Sequence, residues 1–161
     1  MDRCTLGTKR ALNGCIRDRS RRLGYAHAMF KGQCQCGAVR FRVDGELRDV
    51  AVCHCSVCRR THGGPATYTA CAMDALHMDA AETLRHYEVK EATYSFCGEC
   101  GSQLFWRRPS FGHVSISAAA IDPPTGIATT RHIFVAHAGD YEDLSTDLPK
   151  FADYSGSESV S

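Results

Sequence analysis

Three thiols within six residues, Cys53-His54-Cys55-Ser56-Val57-Cys58, are the densest reactive chemistry in this 161-residue chain. They follow Val50-Ala51-Val52, an apolar run that reads as a strand end. Strand side chains alternate, so an extended chain puts Cys53 and Cys55 on one face and His54 on the other. Cys58 rejoins the two thiols only if the chain turns, and Ser56 suits the cap of a short turn or helix through Val57-Cys58-Arg59-Arg60. Three convergent thiolates make a metal site with one of four tetrahedral positions unassigned. Cys71, His62 and an exogenous thiol or water are the candidates for it. His62 follows Cys58 by four residues and shares its face on a helical turn. Cys71 stands alone in a strand, an ordinary setting for a core cysteine.

A second set of thiols is split along the chain. Cys97-Gly98-Glu99-Cys100-Gly101 is a knuckle by spacing, and its trailing glycine permits a turn with positive φ. Cys34-Gln35-Cys36-Gly37 has the same trailing glycine with one residue fewer between the thiols. The two pairs can close a four-thiolate site that ties the start of the domain to its later half, its metal contributing directly to folding. Two unrelated pairs of buried cysteines are the plainer alternative.

These residues need a scaffold of strands. Residues 38–43 alternate, with Val39, Phe41 and Val43 on one face and two arginines on the other. Asp44-Gly45 is a strong hairpin signal, so the segment through Val52 is expected to return antiparallel and deliver Cys53 and Cys55 beside the first strand. Further strands are expected over 66–73, around 84–87 and over 113–119; 93–96 leads into the knuckle, 103–106 follows it, and 133–135 is a short apolar run. Asp122-Pro123-Pro124-Thr125-Gly126 reads as a turn, and 140–151 as the place for a helical turn. Many short strands with frequent turns and no long amphipathic helix predict a mostly β domain.

Composition bounds the rest. The length suits one domain with a core of its own. Net charge is +1, but residues 1–28 hold seven Lys/Arg against two acids, leaving 12 against 16 beyond them. The body therefore has no basic tract for nucleic acid, and no apolar run long enough to span a membrane. Ten cysteines without a secretory signal point to reduced thiols in the cytoplasm, used on metal. The expected organisation is a disordered basic extension over 1–28, a zinc-binding β domain over 29–154 and a frayed tail over 155–161.

Gly32-x-Cys34-x-Cys36-Gly37-x-Val39-x-Phe41, then Cys53-His54-Cys55-Ser56-x-Cys58-Arg59-Arg60, then Phe96-Cys97-x-x-Cys100-Gly101-Ser102 resemble the glutathione-dependent formaldehyde-activating enzyme (GFA) family, which includes centromere protein V. The resemblance runs from about Phe30 to Phe151 and continues through His132-Ile133-Phe134-Val135 and Asp147-Leu148-Pro149. It implies a β-tent fold of stacked antiparallel sheets with zinc knuckles. It also implies two zinc ions per chain, a structural one on Cys34, Cys36, Cys97 and Cys100 and a second on Cys53, Cys55 and Cys58. Cys4, Cys15 and Cys71 fall outside its pattern.

The activity implied is that of a carbon–sulfur lyase, an S-(hydroxymethyl)glutathione synthase joining the glutathione thiol to formaldehyde or a related small electrophile. A three-thiolate zinc can hold a fourth thiolate, so Cys53, Cys55 and Cys58 are the expected catalytic residues. Arg59 and Arg60 are placed so that either can meet a glutathione carboxylate, and His62 or a water to remove the thiol proton. Two solvated arginines are the plainer reading of that pair. The competing class is a non-catalytic zinc-binding interaction module in which both metals are structural.

Overall fold

The computed structural model describes residues 28–154. The expected extension over 1–28, Ala28 apart, lies outside the described residues, as do Cys4, Cys15 and the tail over 155–161.

A three-stranded sheet runs in the order β1 (Met29–Gln33), β2 (Arg40–Asp44), β5 (Leu76–Ala80). Seven strands form the other: β3 (Val50–Cys53), β4 (Ala66–Ala72), β6 (Leu84–Val89), β7 (Ala92–Cys97), β8 (Gln103–Arg107), β9 (His113–Ser117) and β10 (Thr129–Ile133). Their order is β10-β3-β4-β9-β8-β7-β6, antiparallel except where β10 lies parallel to β3. One α-helix occurs among the described residues, α1 (Ser56–His62). The fold is mostly β, as the strand patterning predicts, and its two sheets stack, as the family resemblance implies.

Period-two alternation gives the seven-stranded sheet two different faces. One face packs on the small sheet: Val39, Phe41 and Val43 meet Leu104, Phe105, Val114 and Ile116 in a core completed by Cys34, Cys71, Cys97 and Ile121. Phe41 and Ile116 are fully buried, each contributing about 1.5–3 kcal/mol by leaving water. Gly32 lets the sheets close: a Cβ there would lie 2.3 Å from the Phe41 ring and 2.5 Å from the Ala120 carbonyl. The other face carries the functional groups. Register aligns Ala70, Ser115, Trp106 and Tyr94 in one row across four strands, and Ala51 with Tyr68 in a second.

Three expectations are corrected. Gly45 does turn the chain, at φ 122°, but β2 does not pair with the segment that follows. Its two edges are taken by β1 and β5, while β3 joins the other sheet. The Gly45 N–H donates to the Ala28 carbonyl, closing the turn against the strand before β2 rather than the one after it. The second correction concerns 140–151, which holds no helical turn. Part of that stretch lies along β10, with the His132 N–H on the Pro149 carbonyl at 2.9 Å and the Phe151 N–H on the His132 carbonyl at 2.9 Å. Those backbone groups are satisfied laterally, and the helical turn falls instead at Val135–His137. The third concerns the cap of α1, described below.

Candidate functional site

The four-thiol cluster is built from two similar turns. Gly37 and Gly101 both adopt φ 75°, the left-handed region that glycine enters without penalty. The Gly37 N–H donates to the Cys34 carbonyl at 3.1 Å, and the Gly101 N–H to the Cys97 carbonyl at 2.9 Å. Cys34 and Cys36 leave the β1–β2 connection, Cys97 and Cys100 the β7–β8 connection, so the cluster bridges the two sheets. The Cys34 and Cys36 sulfurs lie 3.5 Å apart, and those of Cys36 and Cys97 3.8 Å. A tetrahedral zinc with ~2.3 Å bonds requires sulfur–sulfur edges of about 3.8 Å, so the donor set fits a closed site for a thiophilic metal. Hydrogen bonds from Ser102 hold Cys100 down to about 5, already a thiolate at neutral pH.

The three-thiol cluster sits where β3 ends and α1 begins. Cys55, not Ser56, is the N-cap: its backbone is extended, and its sulfur accepts from the Cys58 N–H at 3.4 Å. A sulfur in the capping position serves helix and cluster together, so Ser56 starts the helix with its side chain exposed. All three sulfurs lie within 4.8 Å of one another. Hydrogen bonds from Cys53 and then Cys58 bring Cys55 down to about 2, whereas its hydrogen bond with Cys55 pushes Cys53 up to about 12. Cys58 is likewise raised, by its hydrogen bonds with Cys53 and Cys55, and a metal bound here would draw all three sulfurs to thiolates. Among the described residues no fourth ligand atom joins them. Cys71 is fully buried in the core between the sheets, its thiol pushed up to about 12 by burial and then by Asp74. The His62 Nε2 lies 2.9 Å from the Tyr68 hydroxyl instead.

A cavity of about 260 Å³ adjoins the three thiols, which form part of its wall. The sheet row supplies Ser115, Trp106 and Tyr94, and Tyr68 comes from the neighbouring row. Burial, followed by charge on Cys58, raises the Tyr68 phenol, keeping it a hydrogen-bond donor. Burial lowers His62, which stays neutral.

Behind the cluster lies a buried polar chain. His54, 2 % exposed, points away from the thiols as strand alternation predicts. Its Nδ1 bonds the Glu142 carboxylate and its Nε2 lies 2.9 Å from Nδ1 of His132, whose Nε2 is 3.3 Å from the Thr146 hydroxyl. The Glu142 side chain is 5 % exposed and also faces Arg59 Nε at 3.7 Å, while its Oε1 accepts from the Gly139 N–H at 2.9 Å. Burial pushes the Glu142 carboxyl up, but the Gly139 N–H, His54 and Arg59 together hold it below the ordinary range.

Of the residues expected to bind substrate, Arg59 thus packs behind the cluster, Arg60 is exposed on α1, and His62 reaches the cavity through Tyr68. The cavity wall itself carries Arg48 and Arg108. Sequence reasoning missed both, together with Glu142, His132 and the aromatic lining. Nothing in their local spacing marks them, since most lie in connections that meet only once the strands are in order.

Residues 29–137 match the glutathione-dependent formaldehyde-activating enzyme family. A Halomonas elongata protein, provisionally named a glutathione-dependent formaldehyde-activating enzyme, is 33% identical over 133 residues, covering 73% of this chain and 82% of that protein. A Rhodobacter sphaeroides protein of known crystal structure is 30% identical with a TM-score of 0.51, covering 62% of this chain and 97% of its own. No helix among the described residues is long and apolar enough to cross a membrane.

Proposed function

Because the chain belongs to the glutathione-dependent formaldehyde-activating enzyme family, we propose that it is a zinc-dependent carbon–sulfur lyase, adding the glutathione thiol to formaldehyde or a related small electrophile. The observation that carries this reading is the three-thiol cluster, short of one protein ligand among the described residues and opening on a cavity. Cys34, Cys36, Cys97 and Cys100 would hold one zinc, and Cys53, Cys55 and Cys58 the other. Zinc at the second cluster supplies a fourth position for a substrate sulfur and makes a thiol bound there more acidic.

The chemistry is two bonds formed, C–S and O–H, and two broken, S–H and the C=O π bond. The thiol gives up its proton to solvent, a sulfur lone pair attacks the carbonyl carbon, the C=O π pair moves to oxygen, and that oxygen takes up a proton. Tyr68 faces this last event. A neutral His62 donating from Nε2 to the Tyr68 oxygen leaves the phenolic O–H free to donate to the developing alkoxide. The largely apolar wall keeps bulk water from competing for that hydrogen bond. Arg60 is the better placed arginine for a glutathione carboxylate, because Arg59 already faces Glu142. A reduced cytoplasm, where glutathione and free thiols coexist, suits both clusters.

The test is glutathione-dependent loss of formaldehyde measured against the uncatalysed reaction. Zinc-loaded protein is expected to exceed that rate, and Cys55→Ser and Cys58→Ser to fall to it while keeping their circular dichroism. Tyr68→Phe is expected to slow turnover by roughly 100–1,000-fold, the scale of losing one oxyanion donor. An uncatalysed rate with the zinc-loaded wild-type protein would favour the interaction-module reading instead.

A further inference from the structure

The cavity is larger and less polar than formaldehyde requires. Trp106, Phe111, Tyr154 and Phe134 form a continuous aromatic wall, with ring centroids 5.5 Å apart from Trp106 to Phe111, 5.6 Å from Phe111 to Tyr154 and 6.4 Å from Tyr154 to Phe134. Phe134 is held there at a cost. It adopts φ 58°, ψ 36°, a left-handed conformation that a bulky side chain disfavours. Backbone bonds to Asp153 at 3.2 Å and from His137 at 3.0 Å fix it in place. A strained residue presenting its ring to a ligand-sized cavity is a pattern of functional walls.

Glutathione does not complement this wall. Its body carries an ammonium and two carboxylates, and among the described residues the cavity lining contains no Asp or Glu to meet the ammonium. Apart from the three cysteines, the charged groups on the described wall are cations, Arg48 and Arg108. Arg108 also pairs with Glu91 at 2.7 Å, on a carboxylate that is 72 % exposed and turned to solvent. Arg48 donates to the Tyr68 carbonyl at 3.4 Å, and burial, followed by the Arg48 charge, lowers the pKa of His113, so the two arginines rather than an imidazolium are the cations of this wall.

We propose that this cavity is a subsite for a reactant with a flat, ring-sized apolar body and a single carboxylate. Its reacting end lies at Cys53, Cys55 and Cys58, its ring against Trp106 and Phe134, and its carboxylate toward Arg48 and Arg108. The inference rests on the thiol–aldehyde reading of the cluster and names the class of reactant it selects. Either reactant can carry this body. With an aryl aldehyde, the glutathione sulfur adds to the aldehyde carbon, the π pair moves to oxygen and the oxygen is protonated. With an aryl thiol, the same step joins its sulfur to formaldehyde.

Trp106 is the one tryptophan in the chain, so its emission reports occupancy of the cavity independently of turnover. Zinc-loaded full-length protein is titrated with 4-formylbenzoate, 4-mercaptobenzoate, neutral benzaldehyde and glutathione. Saturable quenching by at least one aryl carboxylate is expected at about ten-fold lower concentration than by glutathione. Arg48→Gln is expected to weaken the carboxylate ligand about ten-fold while leaving benzaldehyde within about two-fold, a split that general loss of fold would not give. Phe134→Gly keeps the left-handed turn and is expected to weaken both. Turnover of 4-formylbenzoate with glutathione identifies the aldehyde as the bearer of the ring, and turnover of 4-mercaptobenzoate with formaldehyde identifies the thiol. Absence of saturable quenching by either aryl carboxylate overturns the subsite, even if glutathione and formaldehyde are turned over and the activity stands. Binding of the aryl carboxylates without any thiol addition leaves the subsite standing and removes the activity.

Discussion

The two thiol clusters differ in a way opposite to what burial alone suggests. Cys36 and Cys100 of the four-thiol cluster are exposed, yet that cluster is complete and bridges two sheets. Cys53 and Cys58 of the three-thiol cluster are buried, yet that set is one ligand short and faces a cavity. On the proposed function, saturation of a bound metal, rather than depth, would separate a fastening from a reactive centre. Depth serves the reactive cluster differently, since a water-poor wall strengthens each electrostatic interaction made there.

Breaking each cluster in turn is the largest test of this contrast. Cys97→Ser is expected to cost solubility or folding outright, because structural zinc sites supply about 10–16 kcal/mol of apparent binding free energy to small domains. Cys58→Ser is expected to leave circular dichroism and the first metal in place while abolishing activity. Metal analysis alongside thermal melting distinguishes them, and equal loss of fold in both variants would erase the contrast.

A smaller effect is expected at Glu142, which props the reactive cluster from behind through His54 and Arg59. Glu142→Gln is expected to lose about 1–3 kcal/mol of stability, the range for hydrogen bonds to a charged group. The sign of its pH dependence follows from its lowered pKa. The wild-type contribution is full above the ordinary carboxylate value of 4.5 and disappears as pH falls through the lower folded value. Melting temperatures of wild type and variant should therefore differ at pH 7 and converge in acid. A constant gap would assign the loss to packing.

The smallest effect is expected at Phe134. Phe134→Gly relieves the left-handed strain, about 1–3 kcal/mol, and forfeits a burial term of similar size, so net stability should stay within about 1 kcal/mol. Denaturant unfolding measures this directly, and a large loss would mean that the ring fastens the fold rather than walls a cavity.

Both clusters could be read from the sequence because thiol spacing and trailing glycines are local signals. The alternation of Val39, Phe41 and Val43 likewise placed the core face of β2. Partnership between strands was less legible. Asp44-Gly45 marks a turn, but which strand the turn closes on depends on β1 and β5, whose half-exposed residues alternate weakly. Arg48 precedes β3, Trp106 lies on β8, Phe111 joins β8 to β9 and Phe134 follows β10, so they meet only because the order β10-β3-β4-β9-β8 sets those strands side by side. Glu142 lies in an irregular stretch, where no period exists to show which side is buried.

The difference between a closed and an open cluster is tested most directly by titration calorimetry of the zinc-loaded protein with glutathione, repeated in buffers of different ionisation heat. The thiol should bind at one site per chain, although two metals are present, and release about one proton as it becomes a thiolate. Cys58→Ser should abolish that heat. Binding without proton release, two sites per chain, or heat that persists in Cys58→Ser would contradict an open thiol position at the second cluster.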